Sequence, residues 1–96
     1  MAEPPGPDTR LSPSPDVIAE RIGDQVVMLD LEKDIYLRLN ETGSFLWRQI
    51  EDGDNPSVTE LAGKLADAAG IDPERAISDA TAFAADLLKR SAAVAS

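Results

Sequence analysis

The sequence predicts one α+β domain, a three-stranded antiparallel sheet followed by three helices. Two observations carry the prediction. From Val17 to Leu39 the apolar residues come in short β-branched runs, the last strictly alternating, whereas after Asn40 they recur at spacings of three and four. The second half is also punctuated by helix-start and helix-stop residues at Ser57, Gly70 and Asp72-Pro73. With 96 residues, 43% of them apolar, the chain has material for one core.

Each element can be justified in turn. Residues 1–16 hold five of the seven prolines among Gly, Ser and charges without periodicity, and read as a disordered tail. Val17 to Ile22 is a strand, Gly23-Asp24 a turn, and Gln25 to Leu31 a second strand, together a hairpin. Glu32-Lys33-Asp34 is a polar break. In the third strand Ile35, Leu37 and Leu39 share one face, and Tyr36 and Arg38 the other. The first helix, capped by Asn40 or Thr42, carries Phe45, Leu46, Trp47 and Ile50 on one side and stops near Gly53.

Ser57-Val58-Thr59-Glu60 is a capping box for the second helix, whose buried stripe is Leu61, Ala62, Leu65, Ala66 and Ala69 and whose end is a left-handed Gly70. Asp72 as N-cap and Pro73 in the first turn open the third helix, which runs to about Ser91. It has two adjacent stripes, one of Ile77, Thr81, Ala84 and Leu88, the other of Ala76, Ala80, Phe83 and Leu87. Residues 92–96 read as a C-terminal tail, leaving 17–91 as the folded domain. The short Gly70-Ile71-Asp72 turn gives the last two helices helix-turn-helix proportions, so the architecture is winged helix-turn-helix-like with its sheet at the N-terminus.

Composition excludes much chemistry. Without cysteine or histidine there are no disulfides, no Cys/His metal sites, no Cys–His or Ser–His pair and no imidazole base. No nucleophile–base pair is found, so the reading is binding without catalysis, without cofactor and without metal. Eighteen acids against nine bases, a net charge of −9, repel a phosphate backbone and disfavour nucleic acid as partner. Apolar runs of about four residues are far short of the roughly 20 that span a bilayer, and the acidic, Pro-rich start is unlike a signal peptide. The expectation is a cytoplasmic protein with no membrane partner. Glu51, Asp52 and Asp54 lack the spacing of a calcium loop and read as a solvated turn.

The third strand is where binding chemistry enters. If it is a sheet edge, its unpaired amides and carbonyls need cover. The last helix has apolar surface beyond what a small sheet requires, so its Ala76, Ala80, Phe83 and Leu87 stripe would form the far wall of a groove. An extended peptide would add a strand to the edge and sink alternate side chains into the gap at Ala76 and Ala80. The alternative is that this stripe simply packs on the sheet or on another copy.

Val27-Met28-Leu29-Asp30-Leu31, then Tyr36-Leu37-Arg38-Leu39-Asn40-Glu41-Thr42-Gly43, and Trp47 and Ile50 ahead of Gly53, resemble the PqqD-like family of peptide-recognition elements in ribosomal-peptide biosynthesis. The likeness continues through Ser57-Val58-Thr59-Glu60-Leu61, Ile71-Asp72-Pro73-Glu74 and the helix from Asp79 to Leu88, about residues 17–90; its most specific part is Tyr-x-x-Leu-Asn-x-Thr-Gly-x-x-x-Trp. Members of that family bind the leader of a precursor peptide as an added strand beside the third strand and against the third helix. Glu32-Lys33-Asp34 stands where PqqD proper has a Pro-Glu-Gly turn, and Ser91 to Ser96 replaces its apolar finish. Both departures are similar to the free-standing leader-binding proteins of lasso-peptide clusters.

The resemblance implies a leader peptide as ligand, with a separate leader peptidase, and beyond it a ring-forming cyclase, as partners. A carrier for a quinone-cofactor precursor and, less well supported, a winged-helix DNA binder are the alternatives. Candidate peptide-binding residues are Val26 and Met28 on the second strand, Tyr36, Leu37, Arg38 and Leu39 on the third, and Ala76, Asp79, Ala80, Phe83, Asp86 and Leu87 on the last helix.

Overall fold

The computed structural model describes residues 5–30 and 34–95. Its order is β1 (Leu11–Pro13), β2 (Val17–Ile22), β3 (Gln25–Asp30), β4 (Ile35–Arg38), α1 (Glu41–Asp52), α2 (Val58–Ala69), α3 (Pro73–Lys89) and β5 (Ala93–Ala95). β2, β3 and β4 form the expected antiparallel sheet in that spatial order, and the three helices follow. Leu31 and the Glu32-Lys33 part of the polar break lie outside the described residues.

Local signals set the helix boundaries. The Asn40 side chain accepts the Gly43 amide at 2.7 Å and so caps α1. A β-carbon on Gly43 would sit 3.2 Å from the Phe83 ring, so glycine lets α3 approach the start of α1. At α2 the capping box forms in both directions: Glu60 N donates to Ser57 Oγ at 3.1 Å, and Ser57 N to Glu60 Oε1 at 3.4 Å. Gly70 ends α2 at φ 65°, as expected for a left-handed cap. Asp72 occupies the N-cap of α3 without a side-chain cap bond, and Pro73 begins the helix.

The core lies between the inner sheet face, α1 and the α2–α3 pair, with Val26, Leu46, Trp47, Ile50, Leu61 and Leu87 each at most 1% exposed. Trp47 is thus core, as its helical spacing predicts, although its buried indole N–H has no hydrogen-bond partner among the described residues. Ser44, wholly buried, stitches sheet to helix: its Oγ accepts the Val26 amide at 2.9 Å and donates to the Leu39 carbonyl at 3.3 Å.

Both ends of the chain correct the sequence reading. Residues 5–16 are not a free tail. Leu11 is 0% exposed, β1 pairs antiparallel with β5, and the partners are Leu11↔Ala95, Ser12↔Val94 and Pro13↔Ala93. The segment before β1 supplies carbonyls to the first turn of α2: Val58 N donates to Thr9 O at 3.0 Å and Thr59 N to Pro7 O at 3.1 Å. Helix-start amides have no partner inside the helix, so an extended segment with free carbonyls is held there despite its prolines. Ala93, in the predicted C-terminal tail, is likewise buried in the core. Residues 1–4 and Ser96 lie outside the described residues.

Candidate functional site

β4 has β3 on one side and, among the described residues, no strand on the other. Its register sets which side chains share a face. Ala19, Met28 and Leu37 form one cross-strand row; Ile18, Leu29 and Tyr36 form a row on the opposite face, followed by Glu20, Val27 and Arg38. Leu37 is half-buried and Leu39 buried, while Tyr36 and Arg38 are exposed, so the alternation read from the sequence holds for these residues.

The inner row opens into a cavity of about 270 Å³ between the sheet and the C-terminal end of α3. Val17, Met28, Leu37 and Ala92 give it apolar walls, and Asp30, Asp86, Lys89 and Arg90 contribute charge. That volume is near the lower limit for small-molecule sites, roughly 300–1,000 Å³, and suits one or two side chains better than a whole small molecule. With two acids and two bases, the charge has no overall sign and favours short-range pairing over attraction of one class of ion. Arg90 Nε lies 3.0 Å from Asp86 Oδ2, both side chains being about half exposed, so the pair contributes at most about 1 kcal/mol and yields readily to a ligand charge.

Of the candidate residues, Met28, Leu37 and Asp86 come together at this cavity. Tyr36 and Arg38 lie on the other face of the sheet. Phe83 packs toward Gly43 and Asp79 lies 3.9 Å from Arg75. Ala76, Ala80 and Leu87 do not form an exposed groove wall. With Ala84 they are at most 1% exposed, on the face that packs into the core with α2 as its main neighbour. Val26 is also wholly buried, beneath the bond to Ser44. The face of α3 toward the cavity is the adjoining one that carries Asp86 and Arg90. Val17, Asp30, Lys89, Arg90 and Ala92 were not singled out in the sequence; the Asp86–Arg90 spacing of four was its one local signal.

Elsewhere the charges are structural. Arg21 bonds Asp52 at 2.8 Å and reaches Glu51 at 3.5 Å, tying β2 to the end of α1. Its pKa is raised above the ordinary value, first through the Asp52 hydrogen bond. Two of the three carboxylates near Gly53 are thereby accounted for. Among the described residues no helix is long and apolar enough to cross a membrane.

Fold and site define a small winged-helix-like domain with an open sheet edge and an apolar cavity beside it. Residues 25–92 match the family described as coenzyme PQQ synthesis protein D (PqqD), and the chain belongs to that family. No curated protein sequence matches it. Two solved structures share the fold. One, described as TbiB1 in complex with the TbiA(beta) leader peptide, has a TM-score of 0.78 at 24% identity, over 85% of this chain and 93% of that one. The other, lasso peptide synthetase B1 complexed with the leader peptide, has a TM-score of 0.73 at 23% identity, over 91% and 98%.

Proposed function

We propose that this protein recognises the leader segment of a ribosomally made precursor peptide in lasso-peptide biosynthesis and presents it to a separate leader peptidase, with no catalysis of its own. The leader adds as a strand to the free edge of β4 and runs between β4 and α3, one or two of its apolar side chains entering the cavity against Met28 and Leu37. The observation that carries the reading is the combination of an unpaired edge strand with a side-chain-sized apolar cavity directly beside it. Family membership supports it, as does the fold shared with two proteins whose structures hold leader peptides. Main-chain bonds along β4 supply affinity; the cavity and its charges supply selection.

The family's description also favours a second reading, a carrier for the precursor of a quinone cofactor, which would use the same edge with a different peptide. DNA binding fits the helix-turn-helix proportions but not the charge, because Asp79 and Asp86 occupy the middle of α3 and the chain carries −9 overall.

Fluorescence polarisation with leader peptides encoded beside this chain tests the proposal. The expected result is tight binding of one leader, weakened about tenfold or more by Leu37→Asp, with hydrogen-exchange protection of the Tyr36 to Arg38 amides. Failure of every such leader to bind, or protection confined to the Gly70 to Asp72 turn, would refute it.

A further inference from the structure

A second cleft, of about 490 Å³, lies between α1, the C-terminal half of α2 and the turn that joins β2 to β3. Phe45, Leu65 and Ala68 give it apolar walls. Ala69, which the sequence assigns to the buried stripe of α2, also lines it and is exposed. The apolar stripe of α2 therefore runs on past the part that the core covers. This cleft is separate from the cavity beside β4. Successive helix residues turn by about 100°, so Phe45 lies about 160° around α1 from Gly43, the residue that abuts the Phe83 ring of α3. No residue lines both cavities.

The charges of the cleft are unmet. Arg48 is half-buried in its wall, yet among the described residues its side chain has neither an ion pair nor a hydrogen bond, whereas Arg10, Arg21, Arg75 and Arg90 all have carboxylate partners. Asp24 and Glu41 line the same cleft and form no ion pair among the described residues either. A guanidinium that loses part of its hydration without gaining an anion costs free energy, which a carboxylate from outside recovers.

We infer that this cleft is the docking site for an amphipathic helix of the ring-forming enzyme. The inference rests on the proposed function. A groove between two helices takes the apolar stripe of a third, and the small exposed Ala68 and Ala69 let it come close to α2. The helix that fits carries an apolar residue for Phe45 and Leu65, a carboxylate within a turn of it for Arg48, and a basic residue for Asp24 or Glu41. Position selects the enzyme. A leader along β4 leaves the cleft open, on the other side of α1. The peptidase acts on the leader itself, whereas the enzyme that closes the ring acts on the rest of the precursor and needs a hold on the domain other than the leader. Two copies of this chain, each carrying −9, repel one another.

The test uses Arg48→Glu and Ala68→Glu, neither of them in the leader groove, with Arg75→Glu on α3 as a control that changes net charge as much as Arg48→Glu does. Trp47 fluorescence on heating verifies that each variant folds. Leader affinity is measured by fluorescence polarisation, leader cleavage with the peptidase encoded beside this chain, and affinity of the leader-loaded domain for the ring-forming enzyme encoded there by biolayer interferometry. The expected outcome is leader affinity and cleavage within about twofold of wild type for all three variants. Affinity for the ring-forming enzyme falls about tenfold or more with Arg48→Glu and Ala68→Glu and stays within about twofold with Arg75→Glu. Wild-type affinity for that enzyme in both cleft variants would overturn the inference, as would its failure to bind the loaded wild-type domain or an equal loss with Arg75→Glu. Slowed cleavage with both cleft variants would assign the cleft to the peptidase, and a wild-type dimer that they dissociate would assign it to a second copy; either overturns the inference. Absence of leader binding to the wild-type protein would instead refute the proposed function.

Discussion

Replacing Leu11 by alanine tests whether the N-terminal segment belongs to the fold. The side chain is 0% exposed, and its backbone is held between the Pro56 carbonyl, which accepts the Leu11 amide at 3.0 Å, and the ladder to Ala95. The substitution removes three carbon atoms from the core. At about 0.8 kcal/mol per buried methylene the transfer loss is roughly 2.4 kcal/mol. A residual cavity adds to this, but β1 is short and close to a chain end, so partial collapse keeps the sum in the lower part of the usual range, about 2–4 kcal/mol. For a domain of this size that is a large share of a total of roughly 5–14 kcal/mol, and it lowers Tm by about 10–20 °C. Trp47, the sole tryptophan, is buried in the same core and reports unfolding in urea directly. A change in stability below about 0.5 kcal/mol, the range of surface substitutions, would show that residues 5–16 do not pack as described.

Two further substitutions probe the core behind the groove. Ser44→Ala leaves the buried Val26 amide without its acceptor and should cost about 1–3 kcal/mol in urea unfolding. Ala80→Trp should prevent folding, seen as loss of a cooperative melt, because Ala80 is 1% exposed and an indole has no space there; a folded variant with unchanged stability would mean that this face of α3 is open after all.

What could be read from the sequence was what depends on near neighbours. A capping box is complete within Ser57 to Glu60, and a left-handed helix end needs only Gly70, so both are visible in a four-residue window. The alternation of Tyr36, Leu37 and Arg38 fixed the faces of β4 for the same reason. Leu11 was hidden because its partner Ala95 is at the other end of the chain and its prolines argue locally for disorder. The two stripes of α3 are separated by one residue, about 100° of rotation. Only the position of α2 decides that Ala76, Ala80, Ala84 and Leu87 go inward. Ala92 escaped notice as a cavity wall for the reason that hid Leu11: the β1–β5 ribbon brings it there.

That ribbon has a consequence for architecture on a larger scale. Leu11 and Ala95 face each other across a ladder, so an early and a late segment of the fold lie side by side, and the residues before Leu11 run on along the start of α2. A ladder between two such distant segments ties the domain shut, so that trimming residues at either end weakens the other as well. The sheet edge and its cavity, of which Ala92 is a wall, thereby depend on residues that lie more than eighty positions apart in the chain.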